Sequence, residues 1–172
     1  MRPVRRHAVD ARELGIDLPS GKEGELFRWF LACLLFGKPI QQTVARRTYV
    51  EFERARLVTP RAIVKAGWDR LVNVLDRGHY VRFDFSTATR LLEVCTALLD
   101  RYGTLTNLVR QSRTRADLAR RLQAFKGVGP TTTRIFLRDA GAVWRAGRDG
   151  RSGLRRSPAG SRTWDSKRVL AR

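Results

Sequence analysis

The segment Gly127-Val128-Gly129-Pro130 constrains the fold most, because it allows a sharp turn between two helical segments. Proline suits the first position of a helix, where its missing N–H group costs nothing. We therefore predict two helices joined by a tight turn, with Val128 pinning the turn between them. The apolar positions at helical spacing are Leu118, Leu122 and Phe125 before the turn and Ile135, Phe136 and Leu137 after it.

The chemistry of this turn indicates anion binding. Gly127 and Gly129 lack Cβ atoms, so the backbone can adopt left-handed conformations there and a ligand can approach it closely. The first N–H groups of the next helix have no acceptor within that helix, and the positive end of its dipole adds to their attraction for anions. The turn therefore predicts a phosphate-binding site. The alternative is an ordinary turn between two helices that binds nothing.

The charge of the chain indicates a polyanionic partner. The 172 residues include 35 Lys and Arg against 16 Asp and Glu, which gives a net charge of +19. A charge of this size causes strong self-repulsion unless a polyanion neutralises it. Nucleic acid is therefore the first expected partner. A generally Arg-rich composition without such a partner is the alternative.

The two cysteines, Cys33 and Cys95, lie in apolar helical patterns with no other ligand at metal-binding spacing. This arrangement is typical of buried thiols in a reducing compartment. No apolar run reaches membrane-spanning length, and the basic N-terminus lacks the apolar core of a secretory signal. We therefore predict a cytoplasmic protein with no membrane segment and no catalytic metal.

The remaining sequence predicts an all-α fold, because helical patterns follow one another without a strand pattern. Ser20 is the expected N-cap of the first core helix, and Pro39 is the expected start of the second. Thr59 and Thr114 are the expected caps of two later helices.

Composition divides the chain into three parts. Residues 1–20 predict a basic arm with little order, residues 21–144 one compact helical domain, and residues 145–172 a disordered tail. The tail is rich in Arg, Gly and Ser and holds nine Lys or Arg against two Asp. It has too little apolar surface to offset the entropy lost on ordering.

The stretch from Leu122 to Ala140 resembles the helix-hairpin-helix motif of DNA-repair proteins, and the order of helices resembles the endonuclease III-like branch of the HhH-GPD DNA glycosylases. The resemblance implies that the hairpin binds the phosphates of one strand of double-stranded DNA. It also implies that main-chain carbonyls hold a monovalent cation, K⁺ or Na⁺. The implied carbonyls are those of Gln123, Phe125 and Val128. The implied DNA-binding residues are Lys126, Gly127, Val128, Gly129, Thr131, Thr132, Arg134, Lys38 and Gln41.

The resemblance further implies that a damaged or mispaired base is flipped out of the duplex and its glycosidic bond is cut. Relatives with lyase activity carry a lysine where this chain has Thr131, so a monofunctional, hydrolytic glycosylase is expected here. The catalytic carboxylate is expected at Asp149, eighteen residues after Thr131, or at Asp139; the alternative is that none exists. The chain also lacks the four C-terminal cysteines that hold an iron–sulfur cluster in many relatives.

Other residues have two interpretations each. Lys38 is either a wedge that fills the gap left by the flipped base or a surface cation. Gln41 and Gln42 either line a base pocket or face solvent, and His79 and Tyr80 either stack on a base or pack in the core. The sequence thus predicts a monomeric, nucleoid-associated glycosylase of base-excision repair. Its alternative is a DNA-binding module of the same fold without catalysis.

Overall fold

The computed structural model describes residues 8–152, except for the side chains of residues 142, 143 and 146–152. Within this range the chain is all-helical and contains no strand, which confirms the predicted all-α class. The helices are α1 (Glu23–Phe36), α2 (Gln42–Arg54), α3 (Pro60–Ala66), α4 (Trp68–Arg77), α5 (Asp84–Tyr102), α6 (Leu105–Gln111), α7 (Arg115–Gln123) and α8 (Pro130–Ser152).

Helix α1 lies at the centre of the core. It packs against α2, α6 and α8, and nine of its fourteen residues are buried. The Phe30 ring meets the Phe136 ring edge to face, with centroids 5.6 Å apart. The indole nitrogen of Trp29 donates a 3.3 Å hydrogen bond to the Phe136 carbonyl. These contacts fix α8, and with it the turn before α8, against the most buried element of the protein.

The predicted helix starts are partly confirmed. The Thr59 hydroxyl accepts a hydrogen bond from the Ala62 amide, and Thr114 accepts one from Asp117, so both cap the helices that follow them. The predicted helix starts at Ser20 and at Pro39 were wrong. Helix α2 begins at Gln42 rather than at Pro39, and α1 begins after Lys22, while Ser20 closes a short 3-10 turn before it.

The N-terminal segment differs from the predicted arm in its described part, residues 8–20. Four apolar side chains hold the segment to the body, and all four are buried: Val9, Ala11, Ile16 and Leu18. The apolar residues are spaced irregularly along two 3-10 turns, so no helical or strand period revealed them. Residues 1–7 lie outside the described part of the chain.

The other end also differs from the prediction. Helix α8 continues to Ser152, eight residues into the segment predicted as a disordered tail. Residues 153–172 lie outside the described range. No helix in the described part of the chain combines the length and the apolar character needed to cross a membrane.

Candidate nucleic-acid interface

The predicted turn between helices is present and is held by Val128. Helix α7 ends at Gln123 and α8 begins at Pro130. The Val128 amide donates a 3.1 Å hydrogen bond to the Phe125 carbonyl, and the Val128 side chain is buried. Val128 therefore pins the turn as predicted. Its amide and its side chain both face the protein, so Val128 offers an external ligand only its carbonyl, and its role as a DNA contact stays a prediction.

The neighbouring amides are arranged differently. The first intrahelical bond of α8 runs 3.1 Å from the Thr133 amide to the Gly129 carbonyl, so the amides of Thr131 and Thr132 precede the hydrogen-bonded part of the helix. Within the described residues, no turn or cap hydrogen bond is donated by these two amides or by those of Gly127 and Gly129. These four amides thus have no acceptor among the described residues; Gly127 and Thr131 are exposed, whereas Thr132 is buried, and phosphate binding by the turn stays a prediction.

A depression of about 290 Å³, the hairpin groove, runs beside this turn. The turn and the start of α8 form one wall, and residues after α1 and in the middle of α5 form the other. The lining includes Gly37, Lys38, Arg90, Gly127, Gly129 and Thr131. The structure thus brings Lys38 to the hairpin, although the two are far apart in sequence.

The hairpin groove has a positive electrostatic character. Partial burial lowers the pKa of Lys38, and the nearby Arg90 guanidinium lowers it further. No acidic residue lines the groove, and no ion pair involving Lys38 or Arg90 occurs among the described residues. An anion bound here would relieve the repulsion between the two cations.

Arg90 is the functional candidate that the sequence analysis missed. It lies inside α5, 37 residues before Gly127, in a pattern that indicates only a helix. Its side chain runs along the glycine so closely that a Cβ at position 127 would overlap it from Cγ to Nε. Gly127 also has a φ of 91°, a left-handed conformation that favours glycine. Only the three-dimensional contact with Gly127 reveals Arg90.

Three other predicted DNA-binding residues lie outside the lining of the groove. The side chain of Lys126 is 87% exposed, and its ammonium lies 3.9 Å from the Glu93 carboxylate. Arg134 is exposed on the first turns of α8. Gln41 and Gln42 are exposed at the start of α2, so the solvent interpretation of both holds in this structure.

The two candidate carboxylates occupy different settings. Asp139 accepts hydrogen bonds from the Ala11 amide at 3.0 Å and from Arg138 Nε at 2.8 Å. It borders a separate depression of about 390 Å³ beside the N-terminal segment, which shares no residue with the hairpin groove. Asp139 therefore ties the N-terminal segment to α8. The backbone of Asp149 lies in α8, and its side chain is outside the described set.

The aromatic loop before α5 holds the two residues expected either to stack on a base or to pack in the core, His79 and Tyr80. Tyr80 is fully buried, and its hydroxyl donates a 2.6 Å hydrogen bond to the Leu35 carbonyl near the end of α1. Base stacking by Tyr80 was therefore wrong, and its packing role holds. His79 is exposed with a φ of 64°.

The described residues contain no group of three or more His, Cys, Asp or Glu side chains able to hold a metal ion. Cys33 and Cys95 are both buried, and burial raises the pKa of the Cys95 thiol to about 12. The carbonyls of Gln123, Phe125 and Val128 stay a prediction as cation ligands. The Phe125 carbonyl already accepts the Val128 amide, which leaves it one further lone pair.

Comparison of the chain with protein-family models, curated proteins and solved structures gives no match in any of the three. The resemblance to DNA-repair glycosylases therefore depends on the hairpin sequence and the order of helices alone.

Proposed function

We propose that this protein binds double-stranded DNA and that the hairpin groove holds the phosphates of one strand. The observation that carries the proposal is the convergence of Lys38 and Arg90, which form no ion pair among the described residues, on a turn whose free amides have no acceptor among them. Phosphate oxygens are strong acceptors for backbone amides at a helix start and for guanidinium groups. A net charge of +19 attracts the same polyanion from a distance.

Binding of this kind is independent of base sequence. Phosphate contacts fix the register and orientation of a protein on the duplex but carry no base information. Chromosomal DNA offers such phosphates everywhere, so the proposal is consistent with a nucleoid-associated protein. The hairpin groove supplies attachment, and any recognition of a lesion requires other residues.

An Arg90→Gln variant tests the groove. It removes one phosphate contact, so affinity for every duplex sequence should fall severalfold, and the salt dependence of log K should lose about one unit of slope. Arg54→Gln is the matched control, because Arg54 is an exposed cation paired with Glu51 at 2.8 Å and lies outside the groove lining. Fluorescence anisotropy on two unrelated duplexes at several salt concentrations measures the affinity and its salt dependence. Equal salt slopes for Arg90→Gln and the unaltered protein would contradict the proposal.

A monofunctional glycosylase of base-excision repair is the second candidate. Helix α8 continues to Ser152, so Asp149 has a helical backbone about 27 Å along the axis from Thr131, and an Asp149 that acts on DNA would do so away from the hairpin groove. Asp139 is the weaker catalytic candidate, because hydrogen bonds from Ala11 and Arg138 occupy both of its oxygens.

Base release separates the two candidates. Duplexes with uracil, alkylated or oxidised bases are incubated with the protein and then treated with alkali, which breaks the strand at abasic sites. A glycosylase that uses Asp149 should lose at least about a hundredfold in rate in an Asp149→Asn variant while it still binds DNA. The absence of alkali-sensitive sites on every duplex, with binding intact, would leave a DNA-binding module without catalysis.

A further inference from the structure

The described surface carries an exposed pair of aromatic rings that the phosphate-binding groove does not explain. Trp68, the first residue of α4, is 39% exposed, and Phe85, in the first turn of α5, is 59% exposed. Their ring centroids lie 5.3 Å apart with a tilt of 36°. Large apolar side chains exposed side by side usually mark a binding surface. We call Trp68 and Phe85 the aromatic pair.

Hydrogen bonds hold the aromatic pair in place. The indole nitrogen of Trp68 donates to the Thr89 hydroxyl at 3.1 Å, and that hydroxyl donates to the Phe85 carbonyl at 3.1 Å. The indole orientation is therefore fixed by the same helix that carries Phe85. Rings fixed in this way lose little further conformational freedom when a flat ligand stacks on them.

Helix α5 carries one residue of the aromatic pair, Phe85, and one residue of the hairpin groove, Arg90. Phe85 and Arg90 are five residues apart on this helix, about 7.5 Å along its axis and about 140° around it, so a strand must curve around α5 to reach both. Phe83 lies two residues before Phe85, and the Lys38 ammonium of the hairpin groove is 5.9 Å from the centre of its ring. The rise per nucleotide in one strand of a duplex is about 3.4 Å, so the axial offset corresponds to about two nucleotides.

The charge around the aromatic pair favours nucleic acid over an apolar protein partner. Three exposed cations of the adjoining segments, Arg61, Lys65 and Arg82, form no ion pair among the described residues. The carboxylates next in sequence are Asp69 and Asp84, and Asp84 is occupied at one oxygen by the Phe85 amide at 2.7 Å. Exposed rings beside unpaired cations are typical of surfaces that stack bases and hold a single strand.

We propose that the aromatic pair stacks on an unpaired base of a strand whose phosphates lie in the hairpin groove. The preferred ligand is then DNA with a single-stranded extension next to a duplex, rather than intact duplex. This inference builds on the proposed DNA binding and names the class of substrate. Every base has an apolar face, so the preference is for unpaired structure and not for sequence.

The test compares a blunt duplex with the same duplex carrying a short single-stranded extension, by fluorescence anisotropy. The unaltered protein should bind the extended duplex about tenfold more tightly. Phe85→Ala should remove this preference and leave the affinity for blunt duplex unchanged. Val81→Ala is the matched control, because Val81 is an apolar residue 61% exposed without a ring. It should keep the preference.

A second measurement is independent of the duplex. A single-stranded oligonucleotide stacked on the aromatic pair should quench tryptophan emission, and Trp68→Phe should remove the quenching while a ring remains in place. Trp29 is fully buried and cannot supply this signal by stacking, so quenching that persists in Trp68→Phe would come from Trp144 or Trp164 and would contradict stacking on the aromatic pair.

Three results would overturn the inference: equal affinity of the unaltered protein for both duplexes, retention of the preference in Phe85→Ala, or an equal loss on both duplexes in that variant. A change in self-association of Phe85→Ala with unchanged DNA binding would assign the aromatic pair to protein docking and overturn it as well. Quenching by the single strand without binding to any duplex would instead refute the proposed duplex binding and leave the stacking surface standing.

Discussion

A Gly127→Val variant should lose at least about tenfold in affinity for every duplex, whatever its sequence. Two physical effects act together at this position. A β-branched residue at a φ of 91° is strained by about 1–3 kcal/mol, and its Cβ overlaps the Arg90 side chain. The turn and the guanidinium must both move, so the amides and the cation no longer face one phosphate. A loss of about 1.4 kcal/mol in binding free energy corresponds to the tenfold change.

A matched variant separates this effect from loss of folding. Gly15→Val introduces the same kind of strain, since Gly15 has a φ of 73°, but a Cβ there would meet no neighbouring side chain or backbone within 4 Å, and Gly15 does not line the groove. It should reduce stability without reducing DNA affinity. Circular dichroism of both variants checks that they are folded at the assay temperature. Full affinity of folded Gly127→Val would show that the hairpin is an ordinary turn.

The two glycines of the hairpin are not equivalent in the structure. Gly129 has space around its Cβ position and no positive φ, so Gly129→Ala should bind DNA far better than Gly127→Val. The sequence analysis treated the two as alike, because the pattern Gly-Val-Gly does not show which residue is left-handed. That difference depends on the packing of α5 against the turn.

Local signals allowed much of the fold to be predicted. Thr59 and Thr114 were recognised as caps because a cap depends only on the three residues that follow it. The helix after Pro130 was recognised for the same reason. The N-terminal segment was missed because its anchors have no period, and the hydrogen bond from the Ala11 amide to Asp139 spans 128 residues, so no local pattern could reveal it.

The candidate site was predicted only in part for a similar reason. Gly127, Gly129 and Thr131 lie within one turn, so the sequence could group them. Lys38 was suggested only through the resemblance to a family, and Arg90 was not suggested at all. Lys38 reaches the hairpin groove because α1 packs against α8, and Arg90 reaches it because its side chain lies against Gly127; no local pattern encodes either contact.

A Gly78→Ala variant should be the most destabilised single-methyl change in the described part of the chain. The φ of Gly78 is −78°, an ordinary value, so backbone strain is not the cause. A Cβ there would lie 2.6 Å from the Thr48 Cα and 2.7 Å from its Cβ. Thr48 is fully buried in α2 and its hydroxyl donates to the Val44 carbonyl at 2.8 Å, so it cannot rotate away freely.

The added methyl group must therefore push α2 and α4 apart. Overpacking of this kind costs about 1–3 kcal/mol, and a backbone neighbour indicates the upper end of that range. For a chain of this length the melting temperature should fall by about 5–10 °C. Gly24→Ala is the control, because Gly24 lies in the first turn of α1 with open space around it. That variant should gain about 0.5–1 kcal/mol from reduced chain entropy.

The effect should extend from stability to the hairpin groove. Gly78 is followed two residues later by Tyr80, whose hydroxyl donates to the Leu35 carbonyl just before Gly37 and Lys38. Displacement of α4 therefore alters the end of α1, where one wall of the groove begins. DNA affinity of Gly78→Ala should fall even at temperatures where circular dichroism shows a folded protein. Unchanged melting of Gly78→Ala would contradict the close approach of Gly78 to Thr48 and, with it, the coupling of this contact to the groove.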